Sequence, residues 1–273
     1  MVGIVPHARA ANFHFLLKLR ADRPAQRVSL PTVSARLTDR TPWTAQGEEK
    51  REAVRRMFAQ IAPSYDRMNG LMSLRLHRRW RQIAVDSLGL PAGATVLDLC
   101  CGTGDFLVPL RRAVGPQGRV FAGDFCLPML DRAREKDDSA ALALADAGQL
   151  PYASDTFDAV TVGWGIRNVP DVDRVHGEIA RVLRSGGTFV SLDMARPRNR
   201  LFGSASEWVF HRLVPLLGQW MGHAEAYRYL PESTRRFMTR EELAESMTRA
   251  GFAEVAWRDL FFGNVCLHRG RKP

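Results

Sequence analysis

Apolar positions along this chain follow two periods. Compact apolar runs at 95–99, 119–124, 141–145, 157–162 and 188–193 alternate with stretches whose apolar residues recur every three or four positions. The first kind predicts buried parallel strands and the second amphipathic helices, so their alternation predicts one doubly wound α/β sheet. Val54, Met57, Phe58 and Ile61 predict a first helix that Pro63 ends, and a second runs over 74–88, with Trp80 in its core and its arginines on a solvated face. Further helices are predicted after Asp105, over 128–134, over 172–183 and over 239–250. The last has Thr239 as N-cap and Glu242 completing a capping box. Ser185, Gly186 and Gly187 close the helix before the fifth strand. Residues 255–257 and 261–268 predict two antiparallel strands at the sheet edge.

Two segments break the pattern. Residues 62–70 are too polar and too aromatic for a linker. Residues 201–220 carry Phe202, Trp208, Phe210, Leu213, Leu216, Leu217 and Trp220 on more than one face, interrupted by Pro215. An ordinary covering helix is one reading. The excess of large apolar groups predicts instead a helical lid over about 196–237, lining a greasy pocket.

Length and composition change this picture little: 273 residues at 45% hydrophobic content can bury one substantial core. The expected organisation is an extension over 1–46 and one domain over 47–273. The formal charge of +10 is unevenly spread, because seven basic residues and two acids before Glu48 hold half of the excess. That first segment is rich in Arg, Ser, Thr and Pro, which fits a transit peptide, a disordered tail or a start codon placed too far upstream. Cys100, Cys101, Cys126 and Cys266 form no Cys-x-x-Cys pair and have no His cluster, so no metal site is expected and a reducing, cytoplasmic setting is. No apolar run reaches the length of a membrane span.

The chemistry concentrates at carboxyl ends of the predicted strands, where open α/β sheets bind ligands. The first strand stops at Asp98 and opens into a loop with Gly102 and Gly104, where glycine permits a tight turn and the close approach of a ligand. The second ends in Asp124, twenty positions beyond Gly104, where a carboxylate can take both hydroxyls of a ribose. A dinucleotide loop would carry a third glycine where Leu107 stands. Asp98 and Asp105 would repel a pyrophosphate but suit a sulfonium and an amino group, so the loop reads as an S-adenosylmethionine site. Asp146, after the third strand, can accept from an adenine amino group while the Ala147 N–H meets a ring nitrogen. Residues 163–169, with Arg167 and Asn168, should face the reacting methyl.

Taken together, Tyr65 with Asp66, Met68 with Asn69, His77 with Arg78 and Trp80, the Asp98 to Asp105 loop, the run 165–169, Tyr227 to Leu230 with Ser233, and Leu267 to Gly270 resemble the quinone C-methyltransferases, over roughly 50–273. The resemblance implies a Rossmann-like class I methyltransferase sheet with an antiparallel edge strand, N-terminal helices and the lid. It implies C-methylation of a demethylmenaquinol, the branch that the double cysteine before Gly102 favours, with a polyprenyl benzoquinol or a phylloquinone precursor as alternatives. Thr103, Asp124, Asp146 and Ala147 match its cofactor positions, and Tyr65, Arg167 and Asn168 match positions around the quinol. Gly163 departs from the serine that benzoquinol-methylating relatives often carry.

A sulfonium methyl is already activated, so no metal is expected, and the protein's task is to stabilise a ring phenolate. Arg167 is the expected stabiliser, directly or through an ordered water, with Tyr65 and Asn168 orienting the ring. The competing reading pairs Arg167 with an acid such as Asp193, and His211 or His223 are rival bases. The expected partners are a prenylated quinol and, through the lid with Arg196, Arg198, Arg200 and Arg212, an anionic membrane surface, with a homodimer left open. Nucleic acid is not expected, because amino-methylating enzymes of that class carry Asn or Asp with Pro-Pro where Gly163, Trp164 and Gly165 stand. A non-catalytic subunit would have lost parts of the Asp98, Gly102, Gly104, Asp124 and Asp146 set.

Overall fold

In the computed structural model, residues 44–197 and 224–273 are described, with side chains of 224–227 left aside. Most of the extension, and the lid residues 198–223 with His211, His223, Arg198, Arg200 and Arg212, lie outside the described residues.

β1 (Thr95–Leu99), β2 (Arg119–Asp124), β3 (Ala141–Leu144), β4 (Phe157–Gly163) and β5 (Leu183–Met194) pair in parallel, in the order β3-β2-β1-β4-β5. β7 (Val265–Arg271) then runs antiparallel to β5, and β6 (Ala253–Leu260) antiparallel to β7. Alternation along each strand splits the core in two, because successive side chains point to opposite faces. Val96, Ala159, Val190 and Leu192 meet α3 (Leu76–Asp86), α4 (Leu107–Val114) and α5 (Leu127–Lys136) on one face. Leu97, Leu99, Val160 and Phe189 meet α6 (Val172–Val182) and α8 (Arg240–Arg249) on the other. This is the predicted Rossmann-like doubly wound sheet.

α1 (Gly47–Ile61) lies outside those layers. Ile61 and Ala62 pack on Cys126 and Met129 beside α5, while Val54 and Met57 pack on Tyr229 of α7 (Ala224–Arg236). The α8 capping box forms as expected: the Thr239 hydroxyl accepts from the Glu242 N–H, and the Glu242 carboxylate accepts from the Thr239 N–H.

Three expectations are corrected. The second helix begins at Leu76, because Leu74 and Arg75 take left-handed φ of 48° and 62°, and α2 (Tyr65–Met72) precedes them. Of α2 only Met68 is buried, so no apolar stripe announces it. β5 begins at Leu183, five residues early, with a register shift where the glycines sit. Finally, Phe261–Gly263 is a 3₁₀ turn and not the start of a strand, with Phe261 and Phe262 left-handed.

Candidate active site

The loop from β1 to α4 turns through three left-handed residues, Cys100, Gly102 and Gly104. Its two glycines serve different ends. A Cβ on Gly102 would meet nothing within 4 Å, because the space beside it is a cavity of about 700 Å³. A Cβ on Gly104 would lie 2.8 Å from Leu107 Cδ1 and 3.0 Å from Ala133 Cα. Gly104 therefore makes room for α5, which corrects the expectation that both glycines admit a ligand.

Asp124, Asp146 and Ala147 line this cavity together with Gly102, as predicted from three separate strand ends. Asp124 Oδ2 accepts from the Gly102 N–H at 2.8 Å and Oδ1 from the Cys126 N–H at 2.9 Å. Burial still pushes this carboxyl up to about 6, against those hydrogen bonds. Asp146 Oδ1 accepts from the Gly148 N–H, and Oδ2 lies 3.5 Å from Arg51 of α1. Asp98 is wholly buried behind the lining: Oδ1 accepts from the Thr161 hydroxyl at 2.9 Å, and Oδ2 has no partner among the described residues. Burial pushes Asp98 up to about 7, with the Thr161 hydrogen bond and Arg81 opposing it. Asp124 and Asp146, the carboxylates in the lining of this largely apolar cavity, fit the hydroxyls and base of the expected cofactor, and Asp98, with an orphaned oxygen behind the lining, fits its amino group.

Thr103 and Asp105 are not brought to the lining. The Thr103 hydroxyl donates to Asp66 Oδ1 at 2.5 Å and accepts from Lys136 at 3.1 Å. Asp105 meets Lys136 at 2.5 Å, Arg81 at 3.3 Å and His77 at 3.5 Å. Burial would raise its carboxyl, but the Arg81 and Lys136 cations outweigh burial and hold it well below the carboxylate range. Asp105 therefore has its countercharges within the protein, contrary to the expectation that it faces a sulfonium.

A second cavity, of about 670 Å³, adjoins the first and shares Tyr65 and Trp164 with it. Trp80, Met72, Met194, Leu230, Phe261 and Val265 make it apolar, while His77, Arg81 and Arg167 give it charge and hydrogen-bonding capacity. Arg167 is buried and paired with Asp193 Oδ1 at 2.5 Å, and its Nη1 also donates to the Trp164 carbonyl at 3.0 Å. The competing reading of this pair thus holds geometrically, without consuming the guanidinium, whose Nε has no partner among the described residues. Burial acts to lower the Arg167 pKa, but Asp193 more than offsets it and holds it above the usual range.

Asn168 lines the first cavity, with its amide nitrogen donating to the Trp164 carbonyl and its oxygen accepting from Tyr229. Tyr229, on a helix that falls within the range expected for the lid, is raised to about 12 by burial, so it serves as a neutral donor. Lys50 of α1 donates to the carbonyls of Arg167 at 3.3 Å and Val169 at 2.8 Å, tying the first helix to this loop. Lys50 carries no sequence signal of its own, Tyr229 only the resemblance around it, and Asp193 is the acid that the competing reading names. At Gly163 a Cβ would fall 2.5 Å from the Phe106 ring, so a serine there would require that ring to move.

Comparison with known proteins agrees with this geometry. The chain is 40% identical over 234 residues to the demethylmenaquinone methyltransferase of Desulfitobacterium hafniense, covering 83% of this chain and 92% of that one. It is 39% identical over 236 residues to the ubiquinone/menaquinone biosynthesis C-methyltransferase UbiE of Methylococcus capsulatus, covering 84% and 95%. A solved S-adenosylmethionine-dependent methyltransferase from Thermotoga maritima superposes with a TM-score of 0.59 at 21% identity, over 80% of this chain and 99% of that one, and so shares the fold. The ubiE/COQ5 methyltransferase family model matches residues 44–272, nearly all of what the structure describes, and the chain belongs to that family.

Proposed function

We propose that this chain transfers a methyl group from S-adenosylmethionine to a ring carbon of a prenylated naphthoquinol, the reaction its relatives' names describe. The observation that carries this reading is the pair of adjoining, largely apolar cavities, one with Asp124 and Asp146 in its lining and the other with a buried arginine among aromatic groups. S-adenosylmethionine supplies an electrophilic methyl when bound. Asp98, Gly102, Asp124, Asp146 and Ala147 are the residues that would hold it, with Thr103 and Gly104 shaping the loop from behind.

The nucleophile is a ring carbon made electron-rich by ionisation of the adjacent hydroxyl. Arg167, which lines the second cavity, stabilises that phenolate, directly or through an ordered water that takes the phenolic proton. Asp193 keeps Arg167 charged and aimed, and the hydroxyl of Tyr65, between the cavities, orients the ring. Asn168 acts by fixing the Trp164 carbonyl. Once the ring carbon carries the methyl, loss of its hydrogen as a proton restores the aromatic ring. The apolar walls keep water from the reacting groups.

A substrate with an isoprenoid tail calls for contact with a membrane surface, which is part of the same proposal. Support comes from exposed Leu71 and Leu74 beside cavity-lining Met72 and Ser73, from Phe262 beside Phe261, and from exposed Arg67, Arg75, Arg78 and Arg79 nearby in the chain. No helix of the described residues is long and apolar enough to cross a membrane.

The test offers the full chain labelled S-adenosylmethionine with a reduced demethylated naphthoquinol and, separately, a reduced benzoquinol. Transfer to the first supports the reading, transfer only to the second moves it to the benzoquinol branch, and transfer to neither with cofactor bound removes it. Sedimentation with vesicles containing anionic lipid should fall with salt, and indifference to both salt and lipid charge removes the membrane contact.

A further inference from the structure

His77 sits one helical turn before Arg81 on α3, and both side chains are buried against the second cavity. The Arg81 Nη1 lies 2.6 Å from His77 Nδ1. A guanidinium nitrogen can only donate, so at that distance Nδ1 must be the acceptor and carry no hydrogen. The neutral ring then bears its single proton on Nε2. Asp105 Oδ2 also approaches Nδ1, but at 3.5 Å, and it meets the Arg81 guanidinium at 3.3 Å. Asp105 therefore acts on the ring through Arg81.

Arg81 is in turn fixed. Its guanidinium lies 4.5 Å from the Trp164 ring and 5.5 Å from the Phe106 ring, as well as against Asp105, which Lys136 anchors from α5. Among the described residues the only hydrogen bond of the His77 ring is the one at Nδ1, and the residue keeps an exposure of 6%. The ring lines the cavity, so the Nε2–H is the polar group it offers there.

We infer that His77 is a substrate-binding donor, whose Nε2–H holds a ring oxygen of the acceptor in the second cavity, with its tautomer imposed by Arg81. The inference rests on the quinol reading above. A hydroquinone has two oxygens across the ring, and a site built for one phenolate at Arg167 leaves the other in need of a donor. Asp105 belongs to the loop that carries Gly102. The same loop that forms the cofactor cavity therefore sets the proton on the histidine of the neighbouring one.

The roles of donor and base separate by substitution. Glutamine places an amide N–H where His77 has Nε2, asparagine places one nearer Nδ1, and alanine removes both. Trp80 and Trp164 line the cavity, so quenching of tryptophan fluorescence by 1,4-naphthoquinone reports binding directly. Melting temperature and S-adenosylmethionine binding check that each variant folds. The inference expects His77→Gln to keep naphthoquinone affinity and kcat/KM within about 3-fold of the parent. His77→Ala and His77→Asn should lose about 10-fold in both, the worth of one hydrogen bond to a ring oxygen, with cofactor binding unchanged. A His77→Gln variant as impaired as His77→Ala overturns the donor role, as does a His77→Ala variant that binds and turns over normally. If the parent protein itself methylates no quinol, the quinol reading fails and this inference goes with it. Normal transfer by the parent and by His77→Ala removes the inference alone.

Discussion

Replacing Asp98 with asparagine should make the protein more stable and worse at its task, and pH should separate the two effects. Asp98 is wholly buried, one oxygen has no partner among the described residues, and burial raises its carboxyl from 3.8 to about 7. The folded state therefore holds a proton that the unfolded chain releases between about pH 4 and 7, so this residue's contribution to stability falls as pH rises through that window. Fully developed above the folded value, the penalty is about 4 kcal/mol. Asparagine keeps the oxygen that accepts from Thr161 but brings an amide N–H with no partner, which costs about 1–3 kcal/mol. The net gain at pH 8 is then about 2 kcal/mol, or roughly 4–8 °C in Tm for a domain of this size. At pH 5 both side chains are neutral, so the gain should vanish or change sign. Thermal melts of the full chain at both pH values, with and without S-adenosylmethionine, test this, and the cofactor should raise the Tm of the parent more than that of the variant. An Asp98→Asn protein that melts below the parent at pH 8, or gains equally at pH 5, refutes the reasoning.

The two loop glycines should fail differently. Gly104→Ala combines a left-handed backbone with a clash against α5 and should cost about 3 kcal/mol in urea unfolding, whereas Gly102→Ala should cost about 1–2 kcal/mol and abolish cofactor binding by calorimetry. Arg167→Ala leaves Asp193 buried without its countercharge, a loss of about 3–5 kcal/mol. The double variant Arg167→Ala/Asp193→Ala should recover most of that stability and none of the methyl transfer, which separates the ion pair's structural contribution from its chemistry. Tyr229→Phe removes a buried hydrogen bond to Asn168 and should lower kcat/KM for the quinol about 5-fold, with S-adenosylmethionine binding unchanged.

What could be read from the chain was what periodicity and local spacing encode. β1 to β5, the Thr239 cap and the strand-end positions of Asp124 and Asp146 are all local patterns, and the sheet delivers them to one cavity because parallel strands end on one side. The misjudged features depend on partners distant in sequence. Asp105 looks like a ligand group until α3 and α5 bring His77, Arg81 and Lys136 around it. Gly104 looks like a ligand-facing glycine until α5 supplies Ala133. α2 stayed hidden because it turns Tyr65, Asn69 and Met72 to a cavity and does not bury an apolar stripe.

The place of β7 in the sheet bears on how the protein is made. β7 follows all the other described strands in chain order, yet it lies between β5 and β6 and not at the rim. During synthesis β5 emerges with β4 on one side and nothing on the other, and its open edge persists until residues 265–271 leave the ribosome. β6 is translated earlier but has only β7 to join, so it must wait as well. Termination before residue 265 would thus strip the sheet of two strands and not one, leaving a nascent product primed for edge-to-edge association and for quality-control proteolysis.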